Sequence, residues 1–121
     1  MKPADLDPVI HAPKRLAIMA TLRGGTLVEF RYLKNELELS DSDLSKQMTA
    51  LSNAGFVATR KKRTGANRST WYRMTAKGRR AFDAHVASLE VLLALSDQLD
   101  DVTEPDGAHA VDGGSTAPGT T

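Results

Sequence analysis

The stretch from Phe56 to Met74 restricts the possible folds more than any other part of this 121-residue chain. It holds two runs rich in aromatic and β-branched residues, Phe56–Thr59 and Ser69–Met74, and the turn-forming sequence Thr64-Gly65-Ala66-Asn67 lies between them. Two such runs around a turn cluster predict a β-hairpin. An isolated hairpin is not stable in water, so other elements must pack against this one.

Alternation along the second strand indicates how the hairpin is held. Trp71 and Arg73 fall on one face, and Thr70, Tyr72 and Met74 fall on the other. At least one of the two aromatic side chains should therefore pack against the rest of the protein.

The residues before the hairpin predict three helices. Asp7-Pro8 is typical of a helix cap, and a longer helix should begin at Pro13 and end before Gly24-Gly25. Thr26-Leu27-Val28-Glu29 has the form of a capping box and predicts a second helix over about 27–37.

The third helix and the helix after the hairpin complete the order of elements. Ser40-Asp41-Ser42-Asp43 is a second capping-box form, and Gly55 stands where a left-handed helix end is expected. These signals predict a helix over about 41–54, joined to its predecessor by a tight turn, as in a helix-turn-helix. A last helix should run from about Thr75 to Leu99. The predicted class is α+β, mainly α with a small β-hairpin.

Length and composition set the domain organisation. At 121 residues and 40% hydrophobic content, the chain can build one modest core, which we assign to residues 1–99. Residues 100–121 are rich in Gly, Pro, Ser, Thr and Asp and lack periodicity, so we predict a disordered acidic tail. An inert solubilising role is favoured for this tail over screening of the basic surface.

Charge is strongly segregated along the chain, although the formal net charge is only +1. Residues 1–43 carry six bases and seven acids, residues 44–82 carry ten bases and no acid, and residues 83–121 carry eight acids and no base. A net +10 segment that includes the hairpin indicates a polyanionic partner. A solvated charged surface is the alternative reading.

Several motifs together resemble the MarR-like and ArsR-like winged helix-turn-helix transcriptional regulators of bacteria. They are a Leu-Ser-Lys-Gln helix at 44–47, an exit at 51–57 with the sequence LSNAGFV, and the strand-to-helix junction TWYRMTAKGRRAF at 70–82. The resemblance covers about residues 5–95. It implies a winged helix fold with a long C-terminal dimerisation helix, and a sequence-specific regulator of transcription that acts as a repressor.

The resemblance and the charge pattern together assign the candidate DNA contacts. The helix over about 41–54 should enter the major groove, and the basic hairpin over about 56–74 should form a wing on the backbone or in the minor groove. The candidate residues are Ser42, Ser45, Lys46, Gln47, Thr49, Asn53, Lys61, Lys62, Arg63, Thr64, Asn67 and Arg68. For each helix residue the alternative is a solvated surface. Asp43 is expected to cap the helix.

Apolar periodicity on the last helix predicts a homodimer. A seam near the 3.5-residue period begins at Phe82, and packing of this seam on the first long helix of the same chain is the alternative, which can coexist with a dimer. The candidate interface residues are Leu16, Met19, Leu22, Phe82, Val86, Leu89, Leu92 and Leu93. A two-fold dimer suits a two-fold operator.

Catalytic, metal-binding and membrane functions find no support. The chain has no cysteine, and its three histidines, His11, His85 and His109, are far apart in sequence, so we predict no enzyme, metal site or cofactor. His11 and His85 are expected as helix-cap or surface residues. No apolar run approaches the length of a membrane span, and no apolar signal core begins the chain, so we expect a soluble cytoplasmic protein.

Two further functions stay open. The fold could serve as a protein-interaction or non-specific nucleic-acid-binding module, or a small-molecule effector could bind in the dimer cleft and release DNA.

Overall fold

A computed structural model describes Lys2 and residues 5–100 of the chain. It contains five helices, α1 (Pro8–His11), α2 (Pro13–Leu22), α3 (Phe30–Leu37), α4 (Asp41–Asn53) and α5 (Ala76–Asp100), and three strands, β1 (Val28–Glu29), β2 (Val57–Thr64) and β3 (Asn67–Met74). The predicted α+β class is confirmed, and the three predicted helices (α2, α3 and α4), the hairpin and the long helix α5 occur in the predicted order. None of the helices in this part of the chain combines the length and apolar character that a membrane span requires.

Local signals account for the starts of α1 and α4 and for the end of α4. The Asp7 carboxylate accepts from the N–H groups of Val9 and Ile10, and Ser40 Oγ accepts from the Asp43 N–H at 3.1 Å. At the other end of α4, Gly55 adopts φ 78°, a conformation that favours glycine.

The second predicted helix begins later than the sequence suggests. Residues 28–29 form strand β1 instead of a first helical turn, and α3 starts at Phe30 with no side-chain cap. The capping-box interpretation of Thr26 is therefore wrong. Val28 pairs with Tyr72 and Glu29 pairs with Trp71, so hydrogen bonding to a distant strand outweighs a local cap.

The three strands form an antiparallel sheet in the order β1-β3-β2. β2 and β3 pair in register from Val57 with Met74 to Thr64 with Asn67, and the turn between them consists of Gly65 and Ala66. Gly65 has φ 61°, and a positive φ at the first of two turn residues is the pattern of a type II′ turn. The predicted alternation is confirmed, because Tyr72 and Met74 are buried while Arg73 is exposed.

The core lies between the helices and the base of the hairpin. It is one cluster of buried side chains that includes Ile10, Ile18, Met19, Leu22, Leu33, Leu44, Met48, Leu51, Phe56, Val57, Tyr72, Met74 and Phe82. Each member comes from a helix stripe or from the inward face of a strand, except Phe56, which lies in the hinge between α4 and β2.

The hinge between α4 and β2 is fastened to the start of α5. Thr75 Oγ1 donates to the Gly55 carbonyl at 2.7 Å and accepts from the Gly78 N–H at 2.9 Å, which caps α5. The Thr75 N–H donates to the Phe56 carbonyl at 3.0 Å. A Cβ at position 78 would overlap that same carbonyl oxygen, so only glycine fits there without a backbone shift.

The chain divides into two units, one up to Glu90 and one from Val91 onward. The described part of the second unit is helical, as the last ten residues of α5, and its Val91, Leu92, Leu93, Leu95 and Leu99 are exposed. Our domain boundary at residue 99 stays a prediction. The predicted tail, apart from Asp100, lies outside the described residues.

Candidate nucleic-acid interface

The tip of the β2–β3 hairpin is an exposed cluster of cations. All residues from Arg60 to Arg68 are exposed. The register places Lys61 opposite Thr70, Lys62 opposite Ser69 and Arg63 opposite Arg68. Like charges directly opposite each other destabilise a hairpin, so the Arg63 and Arg68 pair costs stability unless an anion lies between them.

Strand alternation sorts these cations onto two faces. Lys61, Arg63 and Arg68 share the face that carries Tyr72 and Met74 into the core at the hairpin base. Toward the tip, that face therefore changes from apolar to strongly basic. Among the described residues, none of these three cations forms an ion pair.

Lys62 lies on the opposite face and is held by an aromatic ring. Its Nζ sits 4.5 Å from the centroid of the Trp71 ring, and the Trp71 Nε1–H donates to Ser69 Oγ at 2.8 Å. This cation–π contact restricts the lysine and fixes the ring, which is half-buried. Trp71 on β3 therefore links the two strands of the wing through its contact with Lys62 on β2.

Helix α4 presents a short polar surface beside its buried stripe. Ser42, Ser45, Lys46, Thr49 and Asn53 are exposed, as predicted from the periodicity. The Thr49 hydroxyl donates to the Ser45 carbonyl at 2.9 Å, so it can only accept from a partner.

The position of Gln47 differs from our expectation. It is only 9% exposed, its Nε2 donates to Asp43 Oδ1 at 2.9 Å, and its Oε1 accepts from Arg15 Nη1 at 2.9 Å. The assignment of Gln47 as a candidate DNA contact is therefore corrected, since both ends of its amide are occupied inside the protein. Its partner on α2 lies 32 residues away in the sequence, which no local pattern could reveal.

Asp43 joins the same group of polar contacts. Its side chain bonds to Lys14 and to Gln47, while Ser40 acts as the helix cap. The hydrogen bond from Lys14, followed by that from Gln47, lowers the pKa of the Asp43 carboxyl, so this group stays ionised. The expectation that Asp43 itself caps α4 is replaced by a role in joining α4 to α2.

Four of the predicted dimer residues are used inside one protomer. Met19, Leu22 and Phe82 are buried in its core, and Leu16 packs against that core. The assignment of Met19, Leu22 and Phe82 to a dimer interface is therefore corrected, because a side chain enclosed by its own protomer is not available to another chain. Leu16 is half-buried, and its place in a dimer interface stays a prediction.

The remaining predicted dimer residues lie further along α5. Val86 packs against the core and Leu89 is half-buried, whereas Leu92 and Leu93 are exposed, by 41% and 66%. Of these four residues, only Leu92 and Leu93 are thus exposed to solvent.

The sequence reasoning missed a buried histidine. His85 is 1% exposed, and its imidazole contacts the Asp7 backbone and His11, so the expectation of surface histidines is wrong for His85. Position 85 lies three residues after Phe82 and four before Leu89, so the apolar periodicity of α5 already contained a signal that it faces inward. Within residues 5–100, no group of three or more potential metal ligands occurs.

Comparison with known proteins agrees with this geometry. Residues 14–93 match the family described as winged helix DNA-binding domain. An uncharacterized protein of Methanocaldococcus jannaschii is 35% identical over 78 residues, which are 64% of this chain and 85% of that protein.

Solved structures show the same fold. A transcriptional regulator homologue from Pyrococcus horikoshii is 26% identical with a TM-score of 0.66, over 76% of this chain and 88% of that one. A PadR family transcriptional regulator from Eggerthella lenta is 20% identical with a TM-score of 0.60, over 73% of this chain and 81% of that one.

The family consists of DNA-binding domains rather than enzymes, which confirms the prediction of a non-enzymatic protein. The match covers more than half of the chain, and the M. jannaschii relative is matched over most of its length. This chain belongs to the family of winged helix DNA-binding domains.

Proposed function

We propose that the protein is a sequence-specific transcriptional regulator that binds double-stranded DNA as a homodimer and represses transcription. The observation that carries this proposal is the Arg63 and Arg68 pair on the basic face of the wing. The two guanidinium groups repel each other in the free hairpin, and a DNA phosphate between them would remove this repulsion by binding both. The regulator homologue from P. horikoshii supports the role in transcription.

Helix α4 and the wing would make different kinds of contact with DNA. Helix α4 would lie in the major groove with Ser42, Ser45, Lys46, Thr49 and Asn53 toward the bases, as the recognition helix does in other helix-turn-helix proteins. The wing would place Lys61, Lys62, Arg63, Thr64, Asn67 and Arg68 along the backbone or in the minor groove. Phosphate contacts of this kind supply affinity, and base contacts supply preference.

The homodimer is supported by the exposed leucines of α5. Leu92, Leu93, Leu95 and Leu99 are between 41% and 73% exposed on one short helical segment, an unfavourable arrangement for a monomer in water. A second copy would cover them. The variant Leu93→Glu should shift the protein from dimer to monomer in analytical ultracentrifugation, whereas the matched variant Glu90→Gln should not.

Selection from a pool of randomised duplexes tests the function directly. We expect enrichment of a two-fold symmetric site, with half-sites about one helical turn apart, and binding that weakens steeply with salt. Equal binding of all duplexes would support the alternative, a non-specific nucleic-acid-binding module. Salt-insensitive binding, or none, would favour a protein-interaction module. The narrower MarR-like or ArsR-like assignment stays a prediction, as does a small-molecule effector.

A further inference from the structure

The buried His85 lies in a hydrogen-bond arrangement that fixes its protonation. The Asp7 backbone N–H donates to His85 Nδ1 at 3.1 Å, so this nitrogen carries no proton. The neutral ring must then carry its proton on Nε2, which lies 3.2 Å from His11 Nδ1 and donates to it. Both histidine rings are thus held neutral, with the shared bond running from α5 to α1.

Adding a proton to either ring breaks this arrangement. A proton on His85 Nδ1 would face the Asp7 N–H, and a proton on His11 Nδ1 would face the His85 Nε2–H. Each case places donor against donor and costs the hydrogen bond, and a charge on the His85 ring would in addition be buried. The contacts between α1 and α5 are therefore compatible with neutral histidines only.

The hydrogen bonds continue from α1 to the DNA-facing helix. Arg15 Nε of α2 donates to the Val9 carbonyl of α1, and Arg15 Nη1 donates to Gln47 on α4. Gln47 in turn donates to Asp43 near the start of α4. A continuous series of polar contacts therefore joins α5, α1, α2 and α4 within the unit that ends at Glu90.

We propose that His11 and His85 form an acid-sensitive lock that holds α1 against α5 and, through Arg15 and Gln47, keeps α4 in its DNA-binding position. Protonation below neutral pH breaks the two contacts of His85, loosens α1 and removes the support that Val9 gives to Arg15. The effect on DNA rests on the proposed function, whereas the opening of the lock does not.

The charged groups around His85 are compatible with such a switch. The segment 7–11 supplies the Asp7 carboxylate and the His11 ring, α2 supplies Arg15 at the Val9 carbonyl, and on α5 the nearby Asp83 is occupied by Arg23 and Arg79. Burial, followed by the nearness of His11, lowers the pKa of His85, while Asp7 opposes this change.

The sign of the pH dependence follows from this lowered pKa. The fold favours the neutral ring, so the stabilisation is complete above the ordinary histidine pKa of about 6.5. This stabilisation is lost as the pH falls from about 6.5 through the lower pKa that His85 has in the folded state. The lock is therefore closed at neutral pH and opens in acid.

Nuclear magnetic resonance on the full chain tests the lock without DNA. We expect both rings to be Nε2–H tautomers at about pH 7.5, and the amide of Asp7 to exchange about tenfold faster at about pH 5.5 after correction for intrinsic exchange. His85→Asn retains an acceptor for the Asp7 N–H and cannot titrate, so its exchange should not respond to pH. His109→Asn, at the third histidine of the chain, should respond as wild type does.

Either of two results would overturn the lock. One is an Nδ1–H tautomer at His85, and the other is an acid response of Asp7 amide exchange that persists in His85→Asn. The tautomer of His85 is measured on the wild-type protein, so this result decides the lock even where His85→Asn does not fold.

DNA binding, measured by fluorescence anisotropy on a selected duplex, tests the coupling to α4. The wild type should lose about tenfold more affinity than His85→Asn between about pH 7.5 and 5.5. An equal loss in both proteins, with the lock opening in the wild type, would overturn the coupling. A protein that binds no duplex at either pH would contradict the proposed function, while the exchange experiment still decides the lock.

Discussion

The wing and helix α4 are adjacent in the chain, but they are built in opposite ways. The wing is a two-stranded ribbon whose tip is exposed throughout and carries Arg63 opposite Arg68. Helix α4 is anchored on its inner side by Leu44, Met48 and Leu51, and at its edge by Gln47. Under the proposed function, this difference predicts that affinity and sequence preference reside in separate structures, because a phosphate contact tolerates movement whereas base reading requires a fixed helix.

Removal of charge from the wing should give the largest effect. The triple variant Lys61→Ala/Lys62→Ala/Arg63→Ala should bind every duplex about a hundredfold more weakly, because each lost phosphate contact removes a counterion-release contribution. The slope of log affinity against log salt should become shallower by about 0.9 per contact. Anisotropy titrations at several salt concentrations measure both.

A control separates the wing from general charge effects. Arg80→Gln removes an exposed base of α5 outside the hairpin and should leave affinity and slope nearly unchanged. If this variant weakens binding as much per charge as the triple variant, the wing has no special role.

The junction between the two regions is the next target. Gly78→Ala places a Cβ against the Phe56 carbonyl, so the hinge that joins α4 to β2 must move. We expect the free energy of unfolding to fall by about 1–3 kcal/mol, which is typical of overpacking. Urea denaturation measures it.

Gly24→Ala is the matched variant for this experiment. A Cβ at position 24 meets no atom within 4 Å, and its φ is not in the left-handed region. Its stability should therefore be close to that of wild type. Equal stabilities of the two alanine variants would show that α5 does not clamp the hinge.

A single change on α4 should give the smallest but most selective effect. Lys46→Ala should alter the preferred bases of the selected site and reduce discrimination by about 1 kcal/mol, the lower end for a side chain that reads a base edge. Competition between the preferred duplex and its single-base variants measures this discrimination.

The wing supplies the comparison for that result. Lys62→Ala should weaken binding of all duplexes alike and leave their ranking unchanged. A Lys46→Ala protein that behaves in the same way would place Lys46 on a phosphate, and sequence preference would then have to come from other residues of α4 or from DNA shape.

The sequence alone determined the features that depend on near neighbours. Caps at Asp7 and Ser40, the glycine turn at Gly65 and the alternation of Tyr72 and Met74 were all predictable. Each involves residues a few positions apart, where geometry is imposed by the backbone itself. The segregation of charge along the chain likewise indicated that the hairpin is basic.

Only the tertiary structure decided the features that join distant segments. It turned residues 28–29 into a strand because β3 offered them hydrogen bonds, and it closed Gln47 between Asp43 and Arg15. It also buried His85 beside His11, which lies 74 residues away. The partner of a polar group is set by three-dimensional packing, and nothing in the local sequence records which distant atom will satisfy it.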